Sequence, residues 1–144
     1  MSAIDVVSDA NVALKWFRPA GEEGLADADA LLDAHTARRV ALVVLDLTPY
    51  EVANALLRGS AEADADQTST VLGALAEICP IVAPEGEDLR LASRLARQHG
   101  LSFYDAAYAA VAQRRGAELA TFDRALQRAG LGRAPAAIVA DLAG

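Results

Sequence analysis

Lysine is nearly missing from this chain: Lys15 is the only one, and the remaining basic charge is arginine. With 13 basic against 20 acidic side chains the net charge is −7, which argues against a protein that grips nucleic acid by bulk positive charge. A surplus of acids can instead serve to hold cations. The single cysteine, Cys79, excludes an internal disulfide and fits a reducing, cytoplasmic setting. Beside Pro80 it reads as a small buried hydrophobe. The two histidines, His35 and His99, fall near predicted helix ends and read as surface residues. Long apolar runs are lacking too: the longest, Val40 to Leu45, is far too short to span a bilayer. The chain opens straight into a strand-like segment containing Asp5, so no signal peptide is expected. There is no repeat and no low-complexity tail, and 144 residues predict a single domain over 1–144.

What is present is an alternation of short apolar strands and helices. Ile4 to Ser8 predicts a buried first strand ending in Asp9-Ala10-Asn11, followed by a short helix through Val12, Leu14 and Trp16 that breaks at Pro19-Ala20-Gly21. Glu22 to His35 carries a helical apolar stripe, and Ala41 to Leu45 is the continuous run of a strand buried on both faces. Thr48-Pro49-Tyr50-Glu51 predicts a helix with Thr48 as its N-cap, Pro49 at N1 and Glu51 at N3, stopped by Gly59. Ser60 to Asp66 reads as a loop, Asp66 to Ile78 as a helix, Pro80 to Val82 as a strand and Glu87 to His99 as a further helix closed by Gly100. Ser102 and Asp105 then form a capping-box pattern, five alanines make a thin helix, and Gly116 ends it. Glu118 to Thr121 follows as a strand, with Asp123 at its far end. Arg124 to Arg128 reads as a short helix and Ala137 to Val139 as a last edge strand. Strands separated by helices predict an α/β fold, a three-layer α/β/α sandwich with a central parallel sheet.

In such a fold the ends of strands and the starts of the preceding helices meet at the carboxyl edge of the sheet, where sites form. Asp9, Glu51, Asp105 and Asp123 all fall at such positions. Each alone reads as a helix-capping acid, since helix N-termini favour carboxylates. Gathered at one edge, four carboxylates repel unless cations or protons intervene. An all-oxygen donor set suits Mg²⁺ or Mn²⁺ rather than zinc. Asn11 and Thr121 are neutral oxygens close enough in sequence to orient a carboxylate or a water.

Four fragments carry a family resemblance: Asp9-Ala10-Asn11-Val12-Ala13-Leu14-Lys15-Trp16, Tyr50-Glu51-Val52-Ala53-Asn54-Ala55-Leu56, Leu101-Ser102-Phe103-Tyr104-Asp105-Ala106-Ala107-Tyr108 and Thr121-Phe122-Asp123. In order and together they resemble the PIN-domain ribonucleases of the VapC toxin type. The resemblance implies a parallel-sheet α/β/α fold and RNA cleavage with Mg²⁺ or Mn²⁺. Its four acids match Asp9, Glu51, Asp105 and Asp123. It implies an ion held by Asp9 and Asp105, with Glu51 direct or through water, and Asp123 holding a second ion or positioning the attacking water. It further implies a cognate VapB-like antitoxin and a homodimer, with no membrane partner. Lys15, near Asp9, is a candidate phosphate contact, and Asp46 is an extra acid without an assigned role. Arg90, Arg94, Arg97, Arg114 and Arg115 read as solvated faces, and Trp16 and Phe17 as core or partner-facing residues. An antitoxin segment is expected in a groove built from the Glu22–His35 and Asp66–Ile78 helices with Trp16-Phe17, sending an Arg or Lys toward Asp9, Glu51 and Asp105.

Rival readings fit less well. A haloacid-dehalogenase-type phosphatase would want a second Asp where Asn11 stands, and a receiver domain would want a lysine after a late strand. A PIN-like module that binds without cutting would be expected to lose one or more of the acids, and none is lost.

Overall fold

The structure, a computed structural model, describes residues 2–18 and 21–143; the expected break at Pro19 and Ala20 lies outside them. Strands β1 (Ile4–Ser8), β2 (Val40–Leu45), β3 (Ile81–Val82) and β4 (Glu118–Ala120) form one sheet in the order β3-β2-β1-β4, with every pair parallel. Parallel neighbours need crossover connections, and each crossover here is a pair of helices. These are α1 (Ala10–Lys15) with α2 (Leu25–Thr36), α3 (Thr48–Gly59) with α4 (Ala65–Ile78), and α5 (Gly86–His99) with α6 (Phe103–Arg115). After β4 come α7 (Arg124–Arg128) and α8 (Pro135–Ala143).

Side chains alternate across the strands, and the alternation divides the core. Val6, Val40, Leu42 and Val44 pack with α1 to α4 and α8, whereas Val7, Leu45 and Leu119 pack with α5, α6 and α7. The sheet thus lies between two helical layers, as expected. Helix α6 presses closest because Ala106, Ala107, Ala109, Ala110 and Ala112 are all buried. Ser102 caps it by accepting from the Asp105 amide at 3.1 Å. Gly100 and Gly116 end α5 and α6 at φ of 66° and 65°, a conformation costly for other residues.

The structure corrects four local expectations. Ala137 to Val139 is not a strand but part of α8, which starts at Pro135 and buries Ile138. The pairing beside β4 is made by Arg133, whose amide donates to Leu119 O and whose carbonyl accepts from the Thr121 amide. Proline at the first helical position and an alanine-rich stretch outweighed the β-branched pair Ile138-Val139. Second, the helix expected from Glu22 begins at Leu25, because Gly24 has φ 83°. Third, Thr48 is inside α3 rather than capping it; the N-cap is Leu47 and no side chain caps that end. Fourth, His35 is a tie rather than a surface residue. Its Nε2 meets Ile78 O at 2.8 Å and its Nδ1 accepts from the Leu42 amide at 3.1 Å, joining α2, β2 and α4. Cys79 is buried as expected, and burial pushes its thiol up to about 11.

Candidate active site

The carboxyl edge of the sheet collects the predicted acids. Asp9 follows β1 directly, and its amide donates to Ala120 O at 2.9 Å, extending the pairing with β4 by one residue. It occupies the N-cap position of α1, yet its side chain caps nothing. Its Oδ2 instead accepts from Thr121 Oγ1 at 2.7 Å. Only 4% exposed, Asp9 is a buried acid with no cationic partner among the described residues. Burial, relieved in part by the Thr121 bond and reinforced by the charges of Asp105 and Glu51, raises its pKa to about 6. A capping carboxylate would not carry that penalty.

Glu51 is also a poor capper. It sits in the first turn of α3, where its Oε1 accepts from Tyr108 Oη at 2.9 Å. Burial raises its pKa, the Tyr108 bond lowers it, and the Asp105 charge raises it again. Asp105, in the first turn of α6, is raised by burial and then by Asp123, with Ser102 acting in the opposite direction. Asp105 therefore shares a field with each of the other three acids. Asp123 keeps one part of the capping reading: its Oδ1 accepts from the Ala125 and Leu126 amides at 2.7 and 3.1 Å, which starts α7. That leaves Oδ2 without a capping role.

Two hydrogen-bonded sets hold Asp9, Asp123 and Glu51. In the first, Thr121 Oγ1 donates to Asp9, accepts from the Asp123 amide at 3.0 Å and from Asn11 Nδ2 at 3.4 Å, while Asn11 Oδ1 accepts from the Phe122 amide at 3.2 Å. Asn11 and Thr121, the two neutral side chains singled out in the sequence, are both members of this set. Gln127 Nε2 adds a bond to Thr121 O at 2.9 Å. Gly132 is required beside them, since a Cβ there would stand 2.6 Å from Thr121 Cγ2. In the second set, Thr48 Oγ1 accepts from the Leu45 amide at 3.2 Å and pairs with Tyr108 Oη at 2.6 Å, leaving the tyrosine proton for Glu51. Tyr108 is fully buried, and burial raises its pKa far above the ordinary tyrosine value, so it stays a donor. Thr48, Tyr108, Gln127 and Gly132 were not read as site residues from sequence. The one available signal was Tyr108 itself, a lone large polar side chain one turn after Asp105 in an alanine-rich helix.

The other candidates fall elsewhere. Lys15 is paired with Glu22 and lines a cleft of about 430 Å³ with Asn11, Phe122 and Arg124, so a phosphate would have to compete with Glu22 for it. Asp46 is exposed, and its amide only extends the β2–β3 pairing. Arg114 binds Asp88 across α5 and α6 at 2.9 Å, and Arg94, Arg97 and Arg115 are exposed. Trp16 is core, with Nε1 donating to Ala28 O at 3.0 Å.

The donor set is all oxygen, and the Asp105 charge raises the pKa of both Asp9 and Glu51, a repulsion that a bound cation would relieve. Asp9, Glu51 and Asp123 each accept from a protein donor of their own. Among the described residues no three acidic, histidine or cysteine side chains are already closed around one metal-sized centre.

The sequence pattern that describes the PIN domain matches residues 6–131, a span that takes in all four acids. The chain belongs to the PIN domain family. Among its relatives, Ribonuclease VapC3 of Pyrobaculum aerophilum is 40% identical over 89 residues, covering 59% of this chain and 68% of that protein. Exonuclease VapC9 of the same organism is 36% identical over 110 residues, covering 72% and 83%. The crystal structure of PAE2754 from Pyrobaculum aerophilum matches this PIN domain with a TM-score of 0.68 at 27% identity, over 97% of this chain and 96% of that one. A toxin–antitoxin complex from Klebsiella pneumoniae has the same TM-score, 0.68, at 19% identity, over 90% and 97%; at that identity the likeness is one of fold. The all-parallel sheet between two helical layers is therefore the PIN architecture.

Proposed function

We propose that this PIN domain is a Mg²⁺- or Mn²⁺-dependent endoribonuclease and the toxin of a cytoplasmic toxin–antitoxin pair. The observation that carries the reading is Asp9, a buried carboxylate that caps no helix, has no cationic partner among the described residues and shares a field with Glu51 and Asp105. A divalent ion at such a cluster supplies a polarised phosphoryl oxygen and an acidified water for in-line attack. Asp9 and Asp105 would hold it, with Glu51 direct or through water. Asp123, through the oxygen that does not cap α7, would hold a second ion or position the attacking water. Thr121 keeps Asp9 oriented and Tyr108 keeps Glu51 oriented, so both carboxylates are aimed before substrate arrives. No histidine is needed, and neither His35 nor His99 is among the groups that share the acids' field.

The ribonuclease relative supports the activity, and the antitoxin-bound structural neighbour supports the partner. So does a groove of about 420 Å³ lined by Phe17, Arg18, Leu56, Ala63, Thr68 and Val71. It opens between the end of α1 and the facing ends of α3 and α4, so α2 is not a wall of it and Trp16 is not exposed in it. Thr68 Oγ1 is buried without a hydrogen-bond partner among the described residues, as expected of a group that meets a partner's polar atoms, and Arg18 Nε has only the long ion pair with Glu22 at 3.8 Å. The homodimer rests on the family resemblance. No helix among the described residues is long and apolar enough to cross a membrane.

Mapping cleavage sites on total cellular RNA tests the activity. Wild type with Mg²⁺ or Mn²⁺ should give internal cuts, and Asp105→Asn should give none while keeping its fold. Stepwise shortening from an end would make it an exonuclease, as one relative is named. Equal cleavage by Asp105→Asn would reject the site.

A further inference from the structure

The protein has net charge −7, and the site it would present to RNA is itself acidic, so ionic contacts to a polyanion there depend on bound cations. Stacking is the other general source of affinity for single strands, and it tolerates any sequence because every base has a π face. Two large exposed aromatic side chains stand beside the site acids in the first turns of α3 and α6. Tyr50 is 78% exposed and Tyr104 is 65% exposed. Each immediately precedes a site acid, Glu51 in the first turn of α3 and Asp105 in the first turn of α6. Tyr104 lies one turn before Tyr108 on the same stripe of α6. It therefore continues the row that meets Thr48 and Glu51 out to the open end of the helix. Neither hydroxyl makes a hydrogen bond to another described residue, so nothing in the fold accounts for leaving two tyrosines in water. Phe103 differs: it shares a shallow depression with Ser93 and Arg97 of α5, away from the α3 side.

We propose that Tyr50 and Tyr104 are the base-stacking residues of the substrate site and hold the nucleotides on either side of the scissile phosphate in single-stranded RNA. The proposal rests on the nuclease reading for the scissile phosphate, but not for the stacking itself. A duplex keeps its bases stacked on each other, so the preference is for loops and unpaired segments.

The test uses a fluorescently labelled single-stranded oligoribonucleotide. Binding is read by anisotropy with Ca²⁺ in place of Mg²⁺, and cleavage is read separately with Mg²⁺. Tyr50→Ala and Tyr104→Ala should each weaken binding by about five- to 150-fold and raise KM with little change in kcat. The Phe variants should behave as wild type, and the Leu variants, which keep apolar bulk but lose the ring, should behave as Ala. An abasic nucleotide beside the cleavage site should weaken wild type and have no further effect on the matching Ala variant. Both positions are exposed, so melting temperatures should hold. Leu variants as good as Tyr, additive abasic and Ala penalties, or binding lost only because the Ala variants change oligomeric state would overturn stacking. RNA binding that depends on both tyrosines without any cleavage would keep stacking and reject the nuclease reading. Cleavage with KM unmoved would do the reverse, and a wild type that neither binds nor cuts RNA would reject both.

Discussion

A buried carboxylate that caps nothing costs folding energy, and that cost can be measured one residue at a time. Asp9 has its pKa raised from 3.8 to about 6, which at neutral pH is a penalty on the order of 3 kcal/mol for keeping it charged. Asp9→Asn keeps an oxygen for the Thr121 hydroxyl and removes the charge. The variant should be inactive yet more stable than the metal-free wild type by about 1–2 kcal/mol in urea unfolding at neutral pH. A destabilised variant would mean that the carboxylate is structural. Tyr108→Phe is the complementary change, leaving Glu51 without its donor and Thr48 without an acceptor. It should cost about 1–2 kcal/mol and, because the tyrosine bond lowers the Glu51 pKa, move the acid limb of the activity profile to higher pH. An unmoved limb would exclude Tyr108 as the residue that positions Glu51. Residues such as Asp9 were legible from sequence because they fall at strand ends. Tyr108 was not, because its partners Thr48 and Glu51 are 60 and 57 residues away.

Among the elements, those with local signals were readable and those decided by neighbours were not. Ser102, Gly100 and Gly116 mark the ends of α5 and α6 chemically, and the structure places them there. Thr48-Pro49 carries the same kind of signal, but the hydroxyl is drawn into the core by the Leu45 amide and Tyr108, so the cap shifts to Leu47. The stretch Ala137-Ile138-Val139 has strand composition, yet the place beside β4 is already taken by Arg133, and the chain turns helical and packs on α2. The groove at the ends of α3 and α4 yields the element-scale prediction. An antitoxin helix seated there and followed by an extended tail should send an Arg or Lys to the carboxylates, pairing with them in place of metal. Replacing that basic residue with Ala should relieve inhibition more than it weakens binding measured by calorimetry. Full inhibition by the variant at saturation would show that the groove segment works by covering the site.

For the whole molecule, three acids shifted the same way give stability an unusual pH dependence. Asp9, Glu51 and Asp105 have raised native pKa values, so the native state keeps protons that the unfolded chain has already released. Stability without metal should therefore fall as pH rises from the ordinary carboxylate range through about 6, the Asp9 value, and level off above it. Glu22, held low by Lys15, contributes in the opposite sense only at pH below that window. Mg²⁺ or Mn²⁺ binds the deprotonated native cluster, so millimolar metal should raise the melting temperature most above the window and little below it. A melting temperature indifferent to both ions at neutral pH would count against any metal at these acids.

The hydrogen bond from Thr121 to Asp9 closes a loop of 112 residues, and the strand that carries Asp9 sits in the sheet between β2 and β4. A ribosome making this chain therefore exposes the first site acid long before the residue that orients it. Until β4 has been synthesised and docked, Asp9 has neither Thr121 nor the neighbouring Asp123, and Asp105 has only lately emerged. Domains fold as units while synthesis proceeds at about 5–20 residues per second, so a growing or prematurely released chain carries no assembled cutting centre. For a nuclease of the proposed kind, this order of assembly delays the first possible turnover until β4 has been made and docked.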